Sequence, residues 1–282
     1  MVFELFMAMK RTLRVVAAVV MLVACYILLQ ILFQTIASFI MAYIDGISFG
    51  DIARAGDVQF VKENPAFEAC MVRARALCIF LSTVTMILFI HFAGYYKLRW
   101  SLLRSVAPRL LLLSTLLVFS SMFALNILVQ WFPLKDNLTD IFQGLSRNAL
   151  GVVGIAFLAP LLEEVLFRGA IQGVLMRFFG RPWPAIITAA LVFGIIHWNP
   201  VQTVYATLFG IVLGWIYYRT GSLMYVIVGH VLNNALAVVT TVSVSAANEE
   251  VVANSPAGVA GFVLFALLSV YLAVKVKSET EN

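Results

Sequence analysis

The sequence predicts an all-α, polytopic membrane helix bundle with about eight transmembrane helices. Hydrophobic residues make up 62% of the 282 positions and charged residues only 12%, whereas globular proteins are about half apolar and a quarter charged. The apolar residues form long runs, and those at 15–44 and 110–132 exceed the roughly 20 residues that a membrane helix requires. A membrane β-barrel would show short alternating segments instead.

Eight apolar segments, separated by polar or charged residues, account for most of the chain. We predict spans at 14–44, 76–96, 108–132, 146–179, 183–199, 201–218, 222–246 and 257–275. The first is too long for a signal peptide and lacks a cleavage site close behind a short apolar core, so we predict a retained helix. Residues 45–75 form the one sizeable extramembrane segment, with a turn at Asn64 and Pro65.

The charges between these spans predict the topology. Basic residues cluster at alternate connections, namely Lys10, Arg11 and Arg14, then Lys97, Arg99, Arg104 and Arg109, then Arg177 and Arg181, then Arg219, and finally Lys275 and Lys277. The other connections are short or acidic, as at Glu249 and Glu250. The positive-inside rule therefore predicts a multi-pass protein of a cell membrane, bacterial inner or plasma, with both termini in the cytoplasm. No basic stretch is interleaved with aromatic residues on a soluble surface, which argues against nucleic-acid binding.

The chain reads as one domain with three sections. Residues 1–140 form N-terminal transmembrane helices without a specific signature, 141–250 carry the polar motifs, and 251–282 form the last transmembrane helix and a short cytoplasmic tail. Ala206, Gly210 and Gly214 recur every four residues, which predicts close helix contact, within the bundle more than in a dimer. The three cysteines show no paired spacing and are interpreted as small buried side chains.

The first polar motif lies in the fourth span. Glu163, Glu164 and Arg168 have apolar neighbours on both sides, and ionisable residues within a membrane span indicate a functional site. Glu164 and Arg168 stand four residues apart and can pair on a helix, while Glu163 points about 100° away. We therefore predict that Glu164 has a supporting role and that Glu163 faces a polar cavity. Pro160, one turn earlier, predicts a kink.

Two further motifs each centre on a histidine. Phe193 and His197 stand four residues apart in one span, as do His230 and Asn234 in another. Counting 1.5 Å per residue from the cytoplasmic ends places Glu163 and His197 at similar depth, whereas His230 would need a helix that begins deeper. The chain has only three histidines, and the third lacks a polar partner in the sequence and is interpreted as structural.

This set of residues suits hydrolysis of a peptide bond by an activated water. A buried carboxylate is a general base near neutral pH, so Glu163 with His197 can deprotonate a water, while His230 and Asn234 donate to the oxyanion that develops. A divalent metal such as zinc is the second possibility, with Glu163, His197 and His230 as candidate ligands. The HExxH spacing of common zinc proteases is absent, so separate helices would supply such ligands.

At these residues the chain resembles the CPBP family of intramembrane proteases, also called the Abi or type II CAAX protease family, which includes the eukaryotic prenyl-protein endopeptidase. The family pattern EExxxR, FxxxH and HxxxN stands here, in order, at 163–168, 193–197 and 230–234. The resemblance implies that Glu163 and His197 activate the water and that His230 with Asn234 forms the oxyanion site. It further implies that Glu164 and Arg168 support the first helix.

The resemblance also implies a class of partner and leaves the metal open. Family substrates include C-terminally prenylated proteins, so we expect a membrane-associated protein or lipidated peptide as substrate, with the lipid bilayer around the protein. The family is often described as metalloproteases, although the water-activating scheme does not require a metal.

Two other classes of function stay open from the residues alone. A proton-coupled transporter would use Glu163 and the histidines as a relay and would show inverted repeats with broken helices, which the sequence lacks. A non-catalytic scaffold or bacteriocin-immunity protein would keep the fold and bind a partner without needing Glu163 or His197.

Overall fold

The computed structural model describes residues 2–97, 106–243 and 253–281. In these ranges the chain is helical and has no strand, as predicted. The helices are α1 (Val2–Asp45), α2 (Phe49–Ile52), α3 (Val58–Glu63), α4 (Pro65–Phe92), α5 (Pro108–Gln130), α6 (Thr139–Ser146), α7 (Ala149–Phe179), α8 (Pro182–Ile195), α9 (Pro200–Thr220), α10 (Leu223–Ser243) and α11 (Pro256–Glu281).

Seven of these helices are long and apolar enough to cross a membrane, which makes the molecule a polytopic helix bundle. The predicted fifth span, 183–199, is wrong in length, since α8 has only 14 residues and is about 21 Å long at 1.5 Å per residue. The predicted second span starts too late, because α4 begins at Pro65, with proline at its first turn, where its missing N–H costs nothing. The chain breaks between two helices at Asn64, in agreement with the predicted turn at Asn64 and Pro65, and residues 65–75 belong to α4.

The basic ends of the helices meet at one end of the bundle. Arg11 of α1 donates to the carbonyl of Arg177 at the end of α7, at 2.9 Å. Arg109 at the start of α5 pairs with Glu279 near the end of α11, at 3.1 Å, and Arg219 of α9 donates to Thr280 of α11. These contacts agree with the predicted grouping of the basic clusters. Arg99, Arg104, Glu249 and Glu250, which also entered the topology prediction, lie outside the described residues.

Helix α7 is the central element, and two stretches of it are π-helical. The first covers Gly154–Leu158 and the second Glu164–Gln172, whose nine residues are all buried. Pro160 explains the first stretch, because proline has no N–H and its ring clashes with the carbonyl four residues earlier. The N–H of Ala159 bonds to Gly154, five residues back. Such π-bulges occur frequently at functional sites.

The small-residue stripe of α9 packs inside the bundle, as predicted. A Cβ on Gly210 would lie 3.2 Å from Ala190 of α8, and one on Gly214 would lie 2.8 Å from the Gln172 side chain of α7. Because the backbone comes this close, Gln172 donates to the Gly214 carbonyl at 2.9 Å. Small residues thus let α7 and α9 form hydrogen bonds between side chain and backbone in an apolar interior.

Two glycines provide a matched test of this packing. A Cβ at Gly194 would collide with the Thr207 hydroxyl and lie 2.5 Å from the Thr203 carbonyl, both on α9, whereas one at Gly173 would meet only the flexible Arg177 side chain at 3.6 Å. We expect Gly194→Ala to destabilise the protein by about 1–3 kcal/mol through overpacking. Gly173→Ala should stabilise it by about 0.5–1 kcal/mol, because alanine suits a helix better than glycine. Thermal unfolding in detergent measures both, and equal stability of the two variants would contradict the packing.

Candidate active site

The first motif lies at the start of the second π-helical stretch of α7. The side chain of Glu164 is fully buried, that of Arg168 is 2% exposed, and Arg168 Nη1 donates to Glu164 Oε1 at 2.8 Å. The pairing predicted from the four-residue spacing is therefore present. Arg168 Nη2 also donates to the Gly210 carbonyl of α9 at 3.5 Å. The Glu163 side chain points elsewhere and is 14% exposed.

His230 of α10 lies between the two carboxylates. Its Nδ1 is 2.7 Å from Glu164 Oε1, and its Nε2 is 3.6 Å from Glu163 Oε2. The Nδ1 distance is that of a hydrogen bond, whereas the distance from Nε2 to Glu163 is longer than a hydrogen bond. His230 therefore connects α10 to α7 through Glu164 and stands next to Glu163.

His197 lies in the turn that follows α8. Its Nδ1 is 2.7 Å from the Phe193 carbonyl, which fits an N–H donated to the backbone, and no described carboxylate lies within 4.0 Å of its ring nitrogens. Among the described contacts, Glu163 therefore has His230 as its histidine neighbour at 3.6 Å, and the predicted similar depth of Glu163 and His197 stays a prediction.

Phe193 joins the two histidines to the ion pair. Its ring is 1% exposed, and its centroid lies 4.9 Å from that of His197 and 6.2 Å from that of His230, both edge-on. The guanidinium carbon of Arg168 lies 4.6 Å from the same centroid, a cation–π contact that is stronger away from water. The three motifs thus converge on one aromatic ring, with His197 and His230 as its neighbours.

Asn234 has a contact that its spacing did not predict. Its Nδ2 donates to the Ile155 carbonyl of α7 at 2.9 Å. In the π-helical register this carbonyl would accept from residue 160, but Pro160 has no N–H. Asn234 supplies the missing donor, and one hydrogen of its amide remains for another acceptor.

A hydrogen-bonded chain holds Asn234 in place. Tyr205 of α9 donates to Asn233 Oδ1 at 2.9 Å, and Asn233 Nδ2 donates to Asn234 Oδ1 at 2.9 Å. Neither Tyr205 nor Asn233 was predicted as a site residue. Two adjacent amides in an apolar helix were a signal that could have found Asn233, whereas Tyr205 is recognisable only from the tertiary contact.

The side chains do not form a ready metal site. The described residues contain no group of three His, Cys, Asp or Glu side chains placed to hold a metal ion. Both candidate histidines have their Nδ1 against a protein oxygen, the Phe193 carbonyl for His197 and the Glu164 carboxylate for His230. A histidine held in this way presents its other nitrogen, Nε2, as the donor that would bind a metal.

Comparison with known proteins identifies the segment that carries the site. Residues 145–236, about a third of the chain, match the model of the family described as Type II CAAX prenyl endopeptidase Rce1-like. The match agrees with the resemblance seen in the three motifs and covers all six predicted site residues. It lies within the section 141–250. No curated protein and no solved structure matches the chain.

The buried ion pair gives a stability prediction. Arg168→Leu leaves the Glu164 carboxylate without its guanidinium, and we expect it to cost about 3–5 kcal/mol, as when one partner of a buried pair is removed. Adding Glu164→Gln removes the unpaired charge and should restore part of the loss. Thermal unfolding in detergent measures the wild type and the two variants. A single Arg168→Leu variant as stable as the wild type would exclude this structural role.

The contact of Asn234 with the Ile155 carbonyl gives a second stability prediction. Asn234→Ala leaves a buried carbonyl unsatisfied and should cost about 1–3 kcal/mol. In a Pro160→Ala background the N–H of residue 160 is available to that carbonyl, so the same substitution should cost less. A double-mutant cycle by denaturant unfolding measures the coupling, expected at about 0.5–3 kcal/mol. Strictly additive effects would show that Asn234 does not replace the missing donor.

Proposed function

We propose that this protein is an intramembrane endopeptidase of the CAAX type that hydrolyses a peptide bond by means of an activated water. The family match supports a protease at this coarse level. The observation that carries the proposal is His230, whose two ring nitrogens face Glu164 and Glu163 within a buried part of the bundle. A carboxylate next to an imidazole, shielded from bulk water, can transfer protons in general acid–base catalysis.

In the proposed reaction Glu163 is the general base. It is the less buried of the two glutamates and is free of Arg168, so it can take a proton from a water as the water oxygen attacks the scissile carbonyl carbon. His197 holds the water from the other side, as the resemblance implies. The carbonyl oxygen then becomes an oxyanion, and its charge needs donors that are already in place.

His230 and Asn234 are the proposed donors to that oxyanion. Glu164 holds His230 through Nδ1, which leaves the Nε2–H directed towards Glu163 and the space beside it. Asn234 contributes the amide hydrogen that Ile155 does not use. When the C–N bond breaks, Glu163 returns its proton to the leaving amine, which balances the reaction.

The proposed substrate is a membrane-associated or lipidated protein. Both glutamates and His230 lie on helices that are long and apolar enough to cross a membrane, so we expect the scissile bond to reach them from lipid or from the membrane surface. The basic ends of the helices gather at one end of the bundle. We infer from the positive-inside rule that this end, with both termini, faces the cytoplasm of a cell membrane.

A farnesylated peptide ending in Cys-a-a-X tests the proposal in proteoliposomes. We expect the wild type to cleave it and Glu163→Gln to lower kcat/KM by about 10²–10⁴-fold. Glutamine has nearly the same shape as glutamate but cannot accept the proton of the water. His91→Gln is the control, since His91 lies in α4, edge-on to Phe92 and outside the site, and it should keep full activity.

Membrane proteomics extends the test to natural substrates. Peptide termini present with the wild type and lost with Glu163→Gln would identify them. Equal cleavage by wild type and Glu163→Gln would overturn the mechanism. If neither the wild type nor Glu163→Gln cleaved the peptide or produced new termini, and both bound the same partner protein, the result would favour the non-catalytic scaffold.

A further inference from the structure

The turn that carries His197 contains a strained residue. Trp198 has a φ of 54°, and among the described residues it is the only one besides glycine with a positive φ. This conformation is unfavourable for a bulky residue and persists only where the surroundings hold it. The indole does not provide that hold, because it is 79% exposed. The residues on either side of Trp198 therefore fix the turn.

Phe193 and Gly194 hold the turn on the side of α8. The Phe193 ring is buried, and Gly194 lies so close to α9 that a Cβ would be 2.5 Å from the Thr203 carbonyl. The Phe193 carbonyl lies 2.7 Å from His197 Nδ1, and the Gly194 carbonyl accepts from the His197 N–H at 3.2 Å. His197 is thus tied to the end of α8, and the strain falls on the residue that follows it.

Asn199 holds the turn on the side of α9 and is fully buried. Its Oδ1 accepts from the N–H of Val201, in the first turn of α9, at 3.2 Å. Its Nδ2 donates to Asp136 Oδ1 at 2.7 Å, and its backbone carbonyl accepts from the Thr203 N–H at 2.7 Å. Capping of α9 requires only the contact of Oδ1. The bond from Nδ2 to Asp136 therefore has another role than starting the helix.

Asp136 comes from a part of the chain that carries none of the three motifs. It is exposed in the connection 131–138 between α5 and α6, ahead of the segment 145–236 that matches the family. Its Oδ1 also accepts from the Leu138 N–H at 2.9 Å, which fixes the carboxylate in a local turn. A carboxylate held in this way accepts a short, charge-assisted hydrogen bond and anchors Asn199 to a second loop.

We propose that Asp136 is a positioning residue for His197. Through Asn199 it keeps Trp198 in the left-handed conformation that directs the His197 ring to the water, without touching the reacting atoms itself. This inference rests on the proposed endopeptidase function and deepens it, because it adds a residue from outside the matched segment to those that set the rate. A displacement of about 1 Å can lower a catalysed rate by about 10²-fold, so an anchor two residues from His197 is close enough to matter.

Two serine substitutions remove the bond between Asp136 and Asn199 from either end. Asp136→Ser keeps an acceptor for the Leu138 N–H but is too short to reach Asn199, and Asn199→Ser keeps the N-cap of α9 but has no amide. We expect each to lower kcat on the farnesylated peptide in proteoliposomes by about 10- to 100-fold, with little change in KM because no substrate contact is altered. The double variant should lose no more than either single variant, since both remove the same bond.

Three further variants separate positioning from other effects. Asp136→Asn should keep most of the activity, because its amide oxygen still accepts from both partners. Lys135→Gln, at the exposed neighbouring position of the same connection, is the matched control and should keep the wild-type kcat. Adding Trp198→Asn to Asp136→Ser should restore part of kcat, because asparagine adopts a positive φ more readily than tryptophan.

Thermal unfolding in detergent accompanies each assay, so that kcat is expressed per folded enzyme. A lower melting temperature with an unchanged kcat in the serine variants would overturn the inference and leave Asp136 with a structural role alone. Additive losses in the double variant, or no recovery of kcat with Trp198→Asn, would also contradict it. Absence of cleavage by the wild type would instead refute the proposed function.

Discussion

The fully buried carboxylate of Glu164 is the interaction on which the rest of the site depends. One oxygen, Oε1, accepts from both Arg168 and His230, while Oε2 is buried without a hydrogen-bond partner among the described residues. A charge in this position costs several kcal/mol unless it is paired and hydrogen-bonded. Glu164 therefore links α7 to α10, because one carboxylate oxygen holds both Arg168 and His230.

The buried polar side chains of α7 also require that α9 packs close to α7. Arg168 and Gln172, on one side of α7, donate to the carbonyls of Gly210 and Gly214 on α9. Larger residues at the two glycines would hold the helices apart and leave these donors unsatisfied. The wider turns of the π-helical stretch between Glu164 and Gln172 accompany these contacts. Close packing of the two backbones therefore lets buried donors reach carbonyl acceptors, which they need where no water is present to solvate them.

Much of the architecture could be predicted, because apolar length and helix spacing are local properties. The Glu164–Arg168 pair, the packing role of Gly210 and Gly214 and the helical class all follow from residues within one turn or one span. The length of α8 was predicted wrongly, since the apolar run continues beyond Ile195, where the helix gives way to a turn. The start of α4 was also misplaced, because charged residues such as Arg73 and Arg75 were read as loop residues although they continue the helix.

The sequence by itself determined that this is a membrane helix bundle with carboxylates, histidines and an amide in its apolar spans, because composition and motif spacing are independent of how the helices pack. Only the tertiary structure decided that His230, and not His197, lies against Glu163. It also decided that Asn234 donates to the Ile155 carbonyl, which cannot accept from Pro160. The physical reason is depth and rotation: where a helix begins inside the protein, and which face it turns to its neighbours, depend on contacts between residues far apart in the chain.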